Sequence, residues 1–126
     1  MEKTLTIDGK QVRFKSTAAT PRRYRAQFGS DFFTDLLKLA PLVDKFDAGV
    51  DFESLDYEAL KHLNFEVFEN IIWVLAKTAD PSIPEPLEWL EQFNEMPIME
   101  VLPELQELML VSFQGKKNAN HPALKQ

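Results

Sequence analysis

The residues here with the most capacity for chemistry are carboxylates, 20 Asp and Glu against 14 Lys and Arg. Two carboxylates can serve as general acid and base when burial or a neighbour drives their proton affinities apart. These acids fall one or two to a helical turn on polar faces, where a solvated surface is their ordinary role, and no nucleophile accompanies them. The chain has no Cys, so it has no disulfide, thiol nucleophile or thiolate metal site, in keeping with a reducing compartment. Its two histidines, His62 and His121, leave little for metal or acid–base work; His62 borders an apolar Leu60 and Leu63 face, the setting of a structural histidine. Gly9, Gly29, Gly49 and Gly115 are isolated, each at a turn or helix end, so no phosphate-cradling loop is expected. We therefore expect no catalytic residue, no cofactor and no metal, and a chain that works by binding.

One cluster has a different chemistry. Arg22-Arg23-Tyr24-Arg25, with Lys10, Arg13 and Lys15 nearby, sets cations beside an aromatic ring, as nucleic-acid surfaces do. The charge along the chain argues against that use. Residues 1–25 carry seven cations and two acids (+5), residues 26–114 carry four and eighteen (−14), and residues 115–126 add three cations, for a net −6. A body at −14 repels phosphates beyond the local patch, and no helix-turn-helix or aromatic stacking sheet is present to read bases. A protein-facing role fits better.

The elements that must hold these residues follow from periodicity. Thr4–Ile7 and Gln11–Lys15 alternate apolar and polar residues around Asp8-Gly9, a β-hairpin whose inward set is Leu5, Ile7, Val12 and Phe14. Thr20 and Pro21 open a short helix to about Phe28, closed by Gly29. Ser30 or Asp31 caps a second helix to about residue 46, interrupted at Pro41. After a loop at 47–51, Ser54 or Asp56 caps a helix near Tyr57 that bears Leu60 and Leu63. From Phe65 to Ala79 the sequence is apolar nearly all round, which predicts a central helix buried on several sides. Three prolines in 80–86 force a stiff extended connection, followed by a short helix with Leu87, Trp89, Leu90 and Phe93. A last helix carries Ile98, Val101, Leu102, Leu105, Leu108 and Met109, with Pro103 tolerated in its first turn.

The fold class expected is mainly α with an N-terminal β-hairpin, a small single-domain helical bundle. Its globular part is 1–114, with the hairpin at about 4–15 and helices over about 20–112; residues 115–126 form a flexible C-terminal tail. No apolar run nears the ~20 residues of a membrane span, and the first residues lack the apolar stretch of a signal peptide, so a cytoplasmic location is expected.

Three stretches of this sequence resemble, in order, the tail assembly chaperones of long-tailed phages and prophages of Gram-positive bacteria. The first is Ile7–Lys15 running into Thr20-Pro21-Arg22-Arg23-Tyr24-Arg25-Ala26-Gln27-Phe28-Gly29. The second is Glu69-Asn70-Ile71-Ile72-Trp73-Val74-Leu75-Ala76-Lys77, continuing through Ala79–Pro84. The third is Trp89-Leu90-Glu91-Gln92-Phe93 with a helix near Val101-Leu102-Pro103-Glu104-Leu105. The resemblance implies a non-catalytic chain that binds the tape measure protein, keeps it soluble during tube assembly, acts as multiple copies and is absent from the mature virion. It also implies a C-terminally extended form made by ribosomal frameshifting in many such phages. Gly115-Lys116-Lys117-Asn118 can be encoded by an adenine-rich run suited to that slip.

For tape measure binding the residues expected are Trp89, Phe93 and Met96, lining a groove for an amphipathic helix, with core packing as the competing role. For self-association the residues expected are Arg22, Arg23 and Arg25, meeting acids of the next copy in a head-to-tail ring or spiral. The alternatives are a host or prophage regulatory interaction module and a nucleic-acid-binding regulator.

Overall fold

The computed structural model describes residues 1–39 and 64–119. Within them an N-terminal hairpin precedes five helices in one small domain. Asp8 and Gly9 both take positive φ, 52° and 76°, the backbone of a two-residue turn whose twist matches that of the flanking strands. It joins β1 (Glu2–Ile7) to β2 (Lys10–Lys15) in antiparallel register, from Glu2 opposite Lys15 to Ile7 opposite Lys10. Opposed residues share a face, so Leu5, Ile7, Val12 and Phe14 look inward as expected, with Lys3 and Lys10 at the corners of that face. Ile7 and Phe14 are buried; Leu5 and Val12 are partly so. The hairpin closes on its own chain, β2 against the central helix and β1 against the last one.

Around Thr20 the structure departs from expectation. α1 spans Thr20–Phe28 with Pro21 in its first turn, but Ala19 is the cap residue and makes no side-chain bond. Thr20 is buried instead: its hydroxyl accepts the Thr17 N–H at 3.0 Å and lies 3.3 Å from the Thr78 hydroxyl, so it tethers the turn before α1 to the central helix. Gly29 ends α1 at φ 71°, its N–H bonded to the Arg25 carbonyl, as the left-handed C-terminal position requires. Asp31 caps α2 (Phe32–Lys38) by accepting the Thr34 N–H at 2.9 Å. The expected continuation of α2 to 46, the 47–51 loop, the helix near Tyr57 and His62 all lie outside the described residues.

α3 (Phe65–Ala79) is the hub. Asn64 caps it by accepting the Glu66 N–H at 3.0 Å. Val67, Phe68, Ile71, Ile72, Trp73, Val74, Leu75 and Ala76 are all buried, because β2, α1 and two later helices pack around it. Those helices are α4 (Pro86–Leu90), which stops short of the expected Phe93 because Gln92 and Phe93 donate to Trp89 and Leu90 in tighter turns, and α5 (Ile98–Ala119). At about 1.5–3 kcal/mol for each large apolar side chain removed from water, α3 dominates the hydrophobic stabilisation. α5 differs from expectation in two ways. Pro103 lies inside it, a turn beyond the start, and the helix runs through 115–119, a stretch expected as tail. Gly115, expected at a turn or helix end, lies inside it; Lys116, Lys117 and Ala119 are good helix formers that carry the helix past it, and no proline stands before Pro122 to stop it. Among the described residues no helix is long and apolar enough to cross a membrane.

Candidate protein-binding surface

The short α4 is positioned by side chains that reach for main-chain carbonyls. From α3, the Trp73 indole N–H donates to the Pro84 carbonyl at 2.9 Å, and the Lys77 ammonium donates to that of Ile83 at 2.7 Å. These two bonds fix the proline-rich connection. Asp80 shapes its start by accepting the Ser82 N–H at 3.0 Å and the Ser82 hydroxyl at 2.6 Å. Those hydrogen bonds, aided by the charges of Arg13 and Lys77, hold the Asp80 carboxyl below its ordinary proton affinity despite some desolvation. Beyond α4 the hairpin tip takes over. Asp8 accepts the Asn94 N–H at 2.9 Å, and the Lys10 ammonium donates to the Gln92 carbonyl while lying 5.3 Å from the Phe93 ring centroid.

Between β2 and α4 these contacts leave a recess of about 240 Å3. Val12, Ala76, Ile83, Trp89 and Phe93 supply its apolar lining, and Lys10, Arg13, Asp80 and Gln92 add polar groups. Trp89 and Phe93 meet edge to face, 5.1 Å between centroids. Both are nearly spent on the core, 3% and 9% exposed, so each offers the recess only a margin of its ring. Met96 is partly buried against the core and does not line the recess. Pockets that enclose a drug-sized ligand run to ~300–1,000 Å3, and a helix laid lengthwise needs anchors at i, i+3, i+4 and i+7. A recess of 240 Å3 suits a single side-chain anchor. Leu87, on the same short helix as Trp89 but outside the recess lining, is at 72% the most exposed large apolar side chain among the described residues.

The arginines of α1 form a second surface. Arg22 and Arg25 are exposed; Arg23 is half-buried, with its Nε lacking a hydrogen-bond partner among the described residues. Tyr24 turns away from them into the core, so it offers no stacking platform. Its hydroxyl donates to Asp35 at 2.6 Å, and the Lys38 ammonium lies 3.1 Å from the other oxygen of that carboxylate. Burial raises the Tyr24 proton affinity well above its ordinary value, and the hydrogen bond to Asp35 and its charge push the same way. For Asp35, burial would raise the affinity, but bonds from Tyr24, Lys38 and Ser30 and the charge of Lys38 outweigh it, and the net shift is downward.

Asp35 is absent from the residues the sequence singles out. The signal was its spacing: three residues after Phe32 and four before Leu39, it lies on the apolar face of α2, where a carboxylate must find partners. Among the described residues no group of three or more His, Cys, Asp or Glu could hold a metal ion. Compared with known protein families, curated proteins and solved structures, the chain matches none.

Proposed function

We propose that this chain is a phage tail assembly chaperone that binds the tape measure protein and keeps it soluble while the tail tube assembles. The observation that carries the reading is the ordered likeness of the three stretches to that family. In support, the three stretches form one body: the hairpin and α1, the helix α3, and the segments α4 and α5 pack together around α3. The recess with its apolar lining of Val12, Ala76, Ile83, Trp89 and Phe93 further suits a surface that meets a side chain of another protein. The role needs no turnover. Binding covers apolar helix faces that would otherwise aggregate, and it operates in the cytoplasm of a bacterial host, with the chaperone left out of the finished virion.

Co-expression with the tape measure protein encoded beside it is the test. The expected outcome is that the tape measure becomes soluble and co-purifies with this chain. A tape measure that stays insoluble and unbound, with the chaperone present alone and with its frameshift-extended form, would overturn the reading.

A further inference from the structure

We infer that the free edge of β2 binds an extended segment of another protein, which pairs with Gln11 and Arg13 as an added strand and sets one uncharged apolar side chain into the recess. This goes beyond the proposed function. A helix bonds its own backbone groups internally and cannot pair with a strand edge, so the strand site and the binding of an amphipathic tape measure helix stand or fall separately.

The residues flanking a two-residue hairpin turn exchange both main-chain bonds, and bonded pairs alternate with unbonded ones from there. By the register, Ile7–Lys10, Leu5–Val12 and Lys3–Phe14 are the bonded pairs. One step further on, the Ser16 N–H donates to the Met1 carbonyl at 3.0 Å, which keeps the same alternation. Gln11 and Arg13 therefore turn their main-chain N–H and C=O groups away from β1, and these groups have no hydrogen-bond partner among the described residues. Both residues are exposed. The Gln11 side chain leans the other way, its Nε2 donating to the Thr6 hydroxyl at 3.0 Å.

The recess lies along this edge. Lys10 and Val12 from the inward face and Gln11 and Arg13 from the outward face all line it, and no residue of β1 does. A space reached from both faces of one strand, and from neither face of its partner, lies beyond the strand's free edge. A segment bonded to Gln11 and Arg13 places its residue opposite Val12 on the inward face, where the apolar lining is. The volume of about 240 Å3 admits one branched side chain. The polar groups around it are mixed in sign, Lys10 and Arg13 against Asp80, so they select no ionised side chain. Residues opposite Gln11 and Arg13 point to solvent and are free in type. The occupant is thus defined first by an extended backbone and then by one apolar side chain, the division between affinity and specificity that strand addition uses.

An NMR titration of the full chain, without any tape measure, with the peptide acetyl-Thr-Thr-Leu-Thr-Thr-amide tests this. The Gln11 and Arg13 amide protons should move downfield and exchange more slowly, while those of Thr4 and Thr6, on the opposite edge, stay unmoved. Methylating the main-chain nitrogens of the two threonines that flank the leucine should weaken binding by about tenfold or more, as should replacing the leucine with glutamate. Raising salt from about 50 to about 500 mM should change the dissociation constant less than about twofold, because no ion pair carries the contact. Gln11→Pro should abolish binding and keep the hairpin, since proline is tolerated where a strand's N–H faces away from the ladder. No response at about 1 mM peptide, binding indifferent to the methylation, or shifts confined to β1 would each overturn the inference. So would Gln11 and Arg13 amides already protected in the dilute chain without peptide, since the edge would then be covered.

Discussion

The two neighbourhoods that flank α3 both bury apolar side chains and differ in how many of their polar bonds lie at the surface. On the α1 and α2 side the bonds are interior: Phe32, Tyr24, Phe28 and Trp73 run ring to ring at 5.2, 4.8 and 5.6 Å, and the Tyr24 to Asp35 bond is buried. On the hairpin and α4 side, exposed Lys10, Asp8 and Arg13 clasp main-chain groups at the surface. A buried donor that loses its partner bears the full cost of desolvation, whereas an exposed one exchanges its partner for water. The first neighbourhood is therefore scaffold. The second can yield to a partner at small cost, and the recess and Leu87 lie there.

Trp73 bridges the two, stacking edge to face on Phe28 while its indole N–H holds the Pro84 carbonyl. Trp73→Ala should be the largest single loss, about 3–5 kcal/mol, a large share of the ~5–15 kcal/mol that stabilises a typical domain. Urea unfolding measures it; a loss under about 1 kcal/mol would mean that α3 is not the hub. Tyr24→Phe comes next, at about 1–3 kcal/mol, because it strips a donor from a buried carboxylate.

The same pair gives the scaffold a signature in pH. Tyr24 has a raised proton affinity, so its contribution is complete below its unfolded value of 10.0 and drains away as pH rises beyond it. Asp35 has a lowered affinity, so its contribution is present above its unfolded value of 3.8 and is lost as pH falls through the folded value. Melting temperature against pH should show both slopes in the wild type. The alkaline one should shrink in Tyr24→Phe; an unchanged alkaline slope would show that the buried bond is not its origin.

How much of this was legible beforehand depends on the range of the forces involved. The hairpin, its inward set, the left-handed Gly29 and the buried run at 65–79 were all readable, because each follows from residues a few positions apart. The recess was not: it needs β2 to lie beside α4, a pairing across some eighty positions that no local period encodes. Trp89 and Phe93 suit a groove by their type, and the structure gives them mostly to the core with a margin left in the recess. Thr20 looked like a cap because Thr before Pro usually is one, and a tertiary contact with Thr78 claimed its hydroxyl. Asp35 was visible as a misplaced carboxylate on an apolar face, but its partner Tyr24 lies on another helix.

The smallest effect sharpens the comparison most. Lys10→Ala removes the clasp on the Gln92 carbonyl and the cation over the Phe93 ring, yet Lys10 is exposed, so global stability should fall by less than about 1 kcal/mol. Local opening should change far more. The N–H groups of Glu91, Gln92, Phe93 and Asn94 bond to Leu87, Trp89, Leu90 and Asp8, and they stay protected only while the loop after α4 is clamped to the hairpin tip. Hydrogen exchange in the variant should therefore speed at those amides while the α3 amides, which open only with the whole domain, keep their wild-type rates. If α3 speeds by the same factor, the two neighbourhoods unfold as one unit and the division between scaffold and yielding surface fails. If only the loop responds, Lys10 clamps the recess without contributing to the scaffold, and a partner's carboxylate competing for that ammonium has a direct means of loosening it.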